Sequence, residues 1–354
     1  MRERRATLFV ALVTNFVNPF AGTALNVAVP AIGAEFGSAA TELTWIVSAY
    51  MFFTVALSVP FGRIADIRGK RGVLIWGTLI FSITNALLAL SPSMPVFILF
   101  RCLSGIGGAM IFATSMPILV DAYPAQMRGK MIGITVGMVY VGLAAGPVVG
   151  GLMTEHFGWR GIVLVIAVVT LVAFFATVFF LTKKPAPDAA ASGVGPVSIL
   201  LFAVSMILFL YGLTTLSQHI WSYVTLALGI AVFAVFVKHE SKTPAPLVEM
   251  RVFRSNGVFI KANVAALFNY AATFAVSYQL AIYLQLVTGM SADRTGIALI
   301  AQPVVMAIVA PISGRLSDRH SPFLLASLGM GICAAGLVLF TFLGLGTPLW
   351  YILL

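Results

Sequence analysis

Charge is scarce in this chain. Only 9% of its 354 residues are Asp, Glu, Lys or Arg, against roughly 25% in a soluble domain. With 60% hydrophobic residues and a mean hydropathy of +1.04, that excludes an ordinary water-soluble fold. Cysteine is nearly absent: Cys102 and Cys333 both lie in apolar runs, which excludes a disulfide framework and the paired spacing of a metal site. The four histidines, His156, His219, His239 and His320, fall in or near loops. No H-E-x-x-H, G-x-S-x-G or G-x-x-x-x-G-K-[ST] motif occurs, so neither an enzyme nor a cofactor or metal is expected. A net charge of +10 would point to nucleic acid in a soluble protein. Here it follows from topology, and no nucleic-acid partner is expected.

What the chain has is apolar runs long enough to cross a bilayer of about 30 Å. Spans are expected near 6–31, 44–62, 72–91, 95–120, 130–153, 160–182, 196–216, 220–237, 257–288, 295–314 and 322–345, with a twelfth starting at Pro348. Each must be helical, because lipid offers backbone groups no partner. The expected class is therefore an all-α, multi-pass membrane protein, with the bilayer as its first partner. The opening MRERR resembles the basic start of a signal peptide, but the many later spans mark the first as a retained helix. Of the 21 lysines and arginines, alternation of the loops leaves only Arg160 and Arg294 opposite the N-terminus, and Arg101 stays within a span. Lys/Arg-rich loops stay cytoplasmic, which places the N-terminus there, in the plasma membrane.

The stretch GRIADIRGKRG at 62–72 gathers Arg63, Arg68, Lys70 and Arg71 beside Asp66. Gly62 would let helices approach, Asp66 would favour a helix N-terminus, and the cations would pair with it. The pattern partly recurs as Gly314-Arg315-Leu316-Ser317-Asp318, followed by Arg319. The first copy joins spans 2 and 3 and the second joins spans 10 and 11, so two extra spans stand between duplicated halves. The expected division is a six-helix bundle at 1–182, a linker at 183–195, two extra spans at 196–238, a loop at 239–256 and an incomplete second bundle at 257–354. On that count the chain is truncated relative to a longer parent.

These residues resemble the signature loop of the major facilitator superfamily, through Gly62, Ala65, Asp66, Gly69, Lys70 and Arg71. The two extra spans resemble its fourteen-span drug:proton antiporter branch. RCLSGIGGAM looks like the family's span-4 motif, through Arg101, Gly105, Gly107 and Ala109. GLAAGPVVGG looks like the span-5 motif of exporters, through Gly142, Gly146, Pro147, Gly150 and Gly151. By itself, the spacing of Gly142, Gly146 and Gly150 places three small residues on one helical face, and Pro147 permits a kink. A buried Arg101 needs a polar cavity or a partner.

The resemblance implies a complete first bundle, two added spans and part of a second bundle. It implies export of lipophilic or amphipathic small molecules by alternating access, with protons as co-substrate in the longer parent. The loop around Asp66, with Arg68, and its copy at Gly314, Asp318 and Arg319 would act as a conformational latch. Ala21 occupies the position where this branch carries an acid, and all eleven acids lie in loops or at span ends, Asp121 coming nearest to an exception. Polar groups expected around a substrate cavity are Asn26, Trp45 and Tyr50 in the first half. Tyr140, Asn269 and Tyr270 follow, with Gln279, Tyr283 and Gln285 further along span 9. Asn15 and Asn18 belong to the same polar set, which serves helix-to-helix bonding equally well. A uniporter or metabolite exporter of the same fold remains open, as does a non-transporting sensor or scaffold.

Overall fold

The structure, a computed structural model, describes residues 2–182, 195–216, 220–344, 347–348 and 351. The linker expected at 183–195 lies outside these except for Gly195, as do His219 and most of the expected twelfth span. The described residues form helices and short connections. They are α1 (Arg2–Phe36), α2 (Ala40–Arg68), α3 (Lys70–Ala89), α4 (Met94–Ala122), α5 (Ala125–Phe180), α6 (Pro196–Thr214), α7 (Trp221–Glu240), α8 (Met250–Ser255), α9 (Gly257–Ile282), a π-helical turn (Tyr283–Val287), α10 (Ala292–Ser317) and α11 (Pro322–Phe340).

Ten of these helices are long and apolar enough to span a bilayer. One of them holds two spans. At 56 residues, α5 measures about 84 Å along its path, nearly three times the hydrocarbon thickness. Its backbone stays helical through Pro147 and breaks at Gly158, with φ 70° and ψ 170°. That conformation is strained for any residue with a side chain. The kink allowed by Pro147 is therefore not where the helix breaks, and the expected spans 5 and 6 meet at a single glycine.

The chain forms two compact units. The first comprises Met1–Tyr123 and Ala145–Met250, the second Pro124–Ala144 and Arg251–Leu354, so the boundary passes through α5. In the first unit, packing depends on backbone proximity, as expected where lipid gives no hydrophobic drive between helices. A Cβ on Gly105 would lie 2.6 Å from the Tyr50 carbonyl oxygen of α2, and one on Gly107 2.7 Å from the Phe81 amide of α3. Phe81, Leu88, Phe97 and Trp159 fill the core between the helices so drawn together. The α6–α7 hairpin closes in the same way, Gly212 against Leu226 and Gly229 against Phe209. It joins α2 through Trp45, whose ring stacks on Tyr211 at 5.7 Å.

In the second unit α9 and α11 contain no buried residue. Asn256 caps α9 by accepting the Phe259 amide at 3.0 Å, and Ser277 donates to Gln302 of α10 at 2.7 Å.

Candidate functional site

The basic stretch at 62–72 is almost wholly helical. α2 continues to Arg68, Gly69 alone turns the chain at φ 97°, and α3 begins at Lys70. Asp66 therefore lies in the last turn of α2, where the dipole disfavours a carboxylate, rather than at a helix start. The expected pairing of Asp66 with its neighbouring cations does not form: Asp66 and Arg68 are exposed, and no ion pair engages Asp66 among the described residues. The cations are used elsewhere in the unit. Lys70 reaches Asp121 of α4 at 2.7 Å. Arg71 donates from Nε to the Leu181 carbonyl at 2.6 Å and from Nη2 to that of Val178 at 2.7 Å. It thereby neutralises the bare carbonyls at the end of α5. Gly62 is not a close approach either, since an added Cβ would meet only the Ala113 methyl at 3.9 Å.

The second copy is built differently. The Asp318 carboxylate accepts two successive amides near the start of α5, Gly129 at 2.7 Å and Lys130 at 2.8 Å. An anion at the positive end of a helix is favoured by both the free N–H groups and the dipole. Beside it Gly314 packs directly on Gly129 and Gly133, and Gly137 meets Ala307 and Pro311. Gly129, Gly133 and Gly137 form a stripe four residues apart that sequence reading passed over, though its spacing is the one noted in the span-5 motif. Arg319 is exposed.

Arg101 is completely buried, which rules out a side chain reaching outward to solvent. Its Nε donates to the Ile46 carbonyl at 2.7 Å, and its guanidinium lies over the Tyr50 ring at 4.7 Å. The Tyr50 hydroxyl donates to Asn18 Oδ1 at 2.9 Å, and Asn18 Nδ2 to the Gly108 carbonyl at 3.3 Å. Asn15 Nδ2 donates to Ser115 Oγ at 2.5 Å. These amides link α1, α2 and α4. In the span-5 motif, Gly146 packs on Thr23, and a Cβ on Gly150 would lie 2.7 Å from the Ala24 carbonyl oxygen. Gly142 is buried, whereas a Cβ on Gly151 would stand 3.9 Å from Val27. Ala109 and Ala21 are fully buried, the latter in the apolar core where an acid would have to be accommodated.

The other candidates for a cavity are dispersed. Asn26 is exposed and Trp45 is engaged by Tyr211. In the second unit Tyr140 and Tyr270 stand close enough for their hydroxyls to interact. Gln279 and Tyr283 line a cavity of about 470 Å³ with Leu280, Leu337 and Phe340, and Tyr283 donates to the Gly344 carbonyl at 2.6 Å. Asn269 is half-buried, and Gln285 is exposed apart from that cavity.

Two acids have more structure around them than their places near span ends foretold. Glu240, nearly buried, accepts the Val248 amide at 3.0 Å. Glu35, in the last turn of α1, accepts from the Trp159 indole at 2.7 Å and pairs with Arg160 at 2.7 Å. Arg160 also donates to the Ala89 carbonyl at 3.0 Å, so the residues just after Gly158 are tied to the ends of α1 and α3.

Comparison with known proteins places these features in a family. The family model described as Major Facilitator Superfamily matches residues 11–354. The riboflavin transporter RibZ of Clostridioides difficile is 29% identical over all of this chain and 76% of its own length. The tetracenomycin C resistance and export protein of Streptomyces glaucescens is 29% identical over 98% of this chain and 66% of its own. The multidrug resistance protein B homolog of Mycobacterium tuberculosis is 29% identical over 90% and 60%. The chain thus spans about three quarters of the first relative and less than two thirds of the others. Among solved structures, the proton:xylose symporter XylE shares the fold with a TM-score of 0.55 at 13% identity, over 87% of this chain and 68% of that one.

Proposed function

We propose that this chain, which belongs to the major facilitator superfamily, is part of a secondary active transporter that exports amphipathic or hydrophobic small molecules by alternating access. The observation that carries export is the seating of α5 on α1 through Gly146 and Gly150, with no space for a side chain at either glycine. Relatives named for resistance or export support a lipophilic cargo. The fourteen-span architecture is supported by the α6–α7 hairpin, which stacks on α2 through Tyr211 and Trp45, since a plain duplication of six spans has no place for such a pair. The one-sided distribution of basic residues supports a cytoplasmic N-terminus in the plasma membrane. Proton coupling belongs to the longer protein, through a group other than residue 21, where this chain has alanine.

In this reading the clasp of Asp318 on Gly129 and Lys130 is a latch. Its free energy depends on the place of α5 relative to α10, so it biases one conformational state over another.

The test is dye efflux from energised cells that lack their own drug pumps and express the full protein. Faster efflux than in control cells is expected, and it should vanish with Gly150→Leu at normal expression. A second reading, a metabolite carrier, is favoured by the riboflavin transporter among the relatives. Unchanged dye efflux with transport of riboflavin would select it, and movement of neither compound would sink both.

A further inference from the structure

Arg101 holds a charge that no carboxylate pairs among the described residues. Only its Nε has a protein acceptor; Nη1 and Nη2 have none among the described residues, although the side chain is fully buried. A second orphan lies nearby on α3. Asn85 is also fully buried, and its Nδ2 donates to the Phe81 carbonyl at 2.8 Å and to Ser104 Oγ at 3.0 Å. Its Oδ1 has no donor. Ser104 follows Arg101 by about one turn of α4, and the Tyr50 ring under the guanidinium packs edge-on against Phe81, one turn before Asn85 on α3, so the amide and the guanidinium lie on neighbouring turns where α2, α3 and α4 meet.

Two N–H-bearing nitrogens without an acceptor thus accompany a carbonyl oxygen without a donor. A small anion would satisfy the guanidinium and be repelled by the amide oxygen. Water satisfies both, since it accepts from one and donates to the other. Three partners match the usual number for a buried water.

We infer that Arg101 and Asn85 hold ordered water inside the first unit, bridging Nη1 and Nη2 to Oδ1, and that this water lets an arginine stay charged without a carboxylate. The inference does not depend on the direction or cargo of transport.

The bridge predicts a change of sign. With Arg101 present, Asn85→Asp puts a carboxylate one water away from the guanidinium and should raise the Tm of the purified protein by about 2–4 °C. In the Arg101→Gln background the same change should lower it. A fall in both backgrounds would overturn the bridge. The wild-type protein supplies a second arm that needs no variant to fold: replacing chloride by gluconate should leave its Tm unchanged. A chloride-dependent rise would put an anion at Arg101 and reject water.

Discussion

Asp318 accepts the amide of Gly129 at 2.7 Å across 189 residues of sequence, while Asp66, at the matching place in the first copy of the motif, engages no partner among the described residues of its unit. The same short motif therefore carries two different loads. One copy is closed on a helix start, and the other presents an exposed carboxylate.

Asp318→Asn keeps the shape but replaces one accepting oxygen by a donor facing two N–H groups. Charge-assisted bonds of this kind contribute about 1.5–3 kcal/mol, so the variant should lose several degrees of thermal stability. Asp66→Asn should leave Tm unchanged and lower transport in the full protein. A thermal-shift series paired with efflux assays separates the two. Equal loss of stability in both variants would contradict the asymmetry.

The glycines of the span-5 motif should differ in tolerance. Gly150→Ala drives a methyl into the Ala24 backbone and should cost about 1–3 kcal/mol, typical of overpacking. Gly151→Ala meets only Val27 at ordinary contact distance and should be near neutral. Folded yield and Tm check this, and equal sensitivity would mean that the motif acts other than by close packing.

Arg71→Gln should loosen the end of α5 by removing two donors to the Leu181 and Val178 carbonyls. Arg71→Lys should retain part of the effect, as a point charge without the planar fork. Faster amide exchange confined to residues near 178–182 is the expected readout.

Glu35 gives the pH prediction. Its carboxylate accepts from the Trp159 indole and pairs with Arg160, so both contacts are lost when acid protonates it. Trp159 reports the change directly, because its indole N–H loses a charged acceptor. An acid-induced shift in tryptophan emission is expected in the wild type and should be absent in Glu35→Gln. A shift that persists in the variant would assign it to another group.

The spans were legible in the sequence because hydropathy is a local property, and the π-helical turn falls inside the expected ninth span. The close glycines at 105, 107, 146 and 150 were legible because small residues at helical spacing have one main use in lipid. Partners far apart in the chain were not. Nothing near Glu35 foretells Arg160, and nothing near Trp45 foretells Tyr211. The loop reading of 62–72 failed because one glycine suffices to turn the chain, which left Asp66 in a helix end. For Arg101, burial was legible from composition, but the Ile46 carbonyl was not, since a backbone acceptor leaves no mark on residue type.

The break at Gly158 bears on how the protein is made. Two helices that meet at a single residue leave only the short stretch from Thr154 to Arg160 to be carried across the bilayer, so neither half of α5 has a long soluble tether that would let it wait for the other. They must leave the translocation machinery as a paired hairpin. A long insertion at this position would separate their entry into the lipid, whereas the same insertion after Phe180 would follow a hairpin already in place.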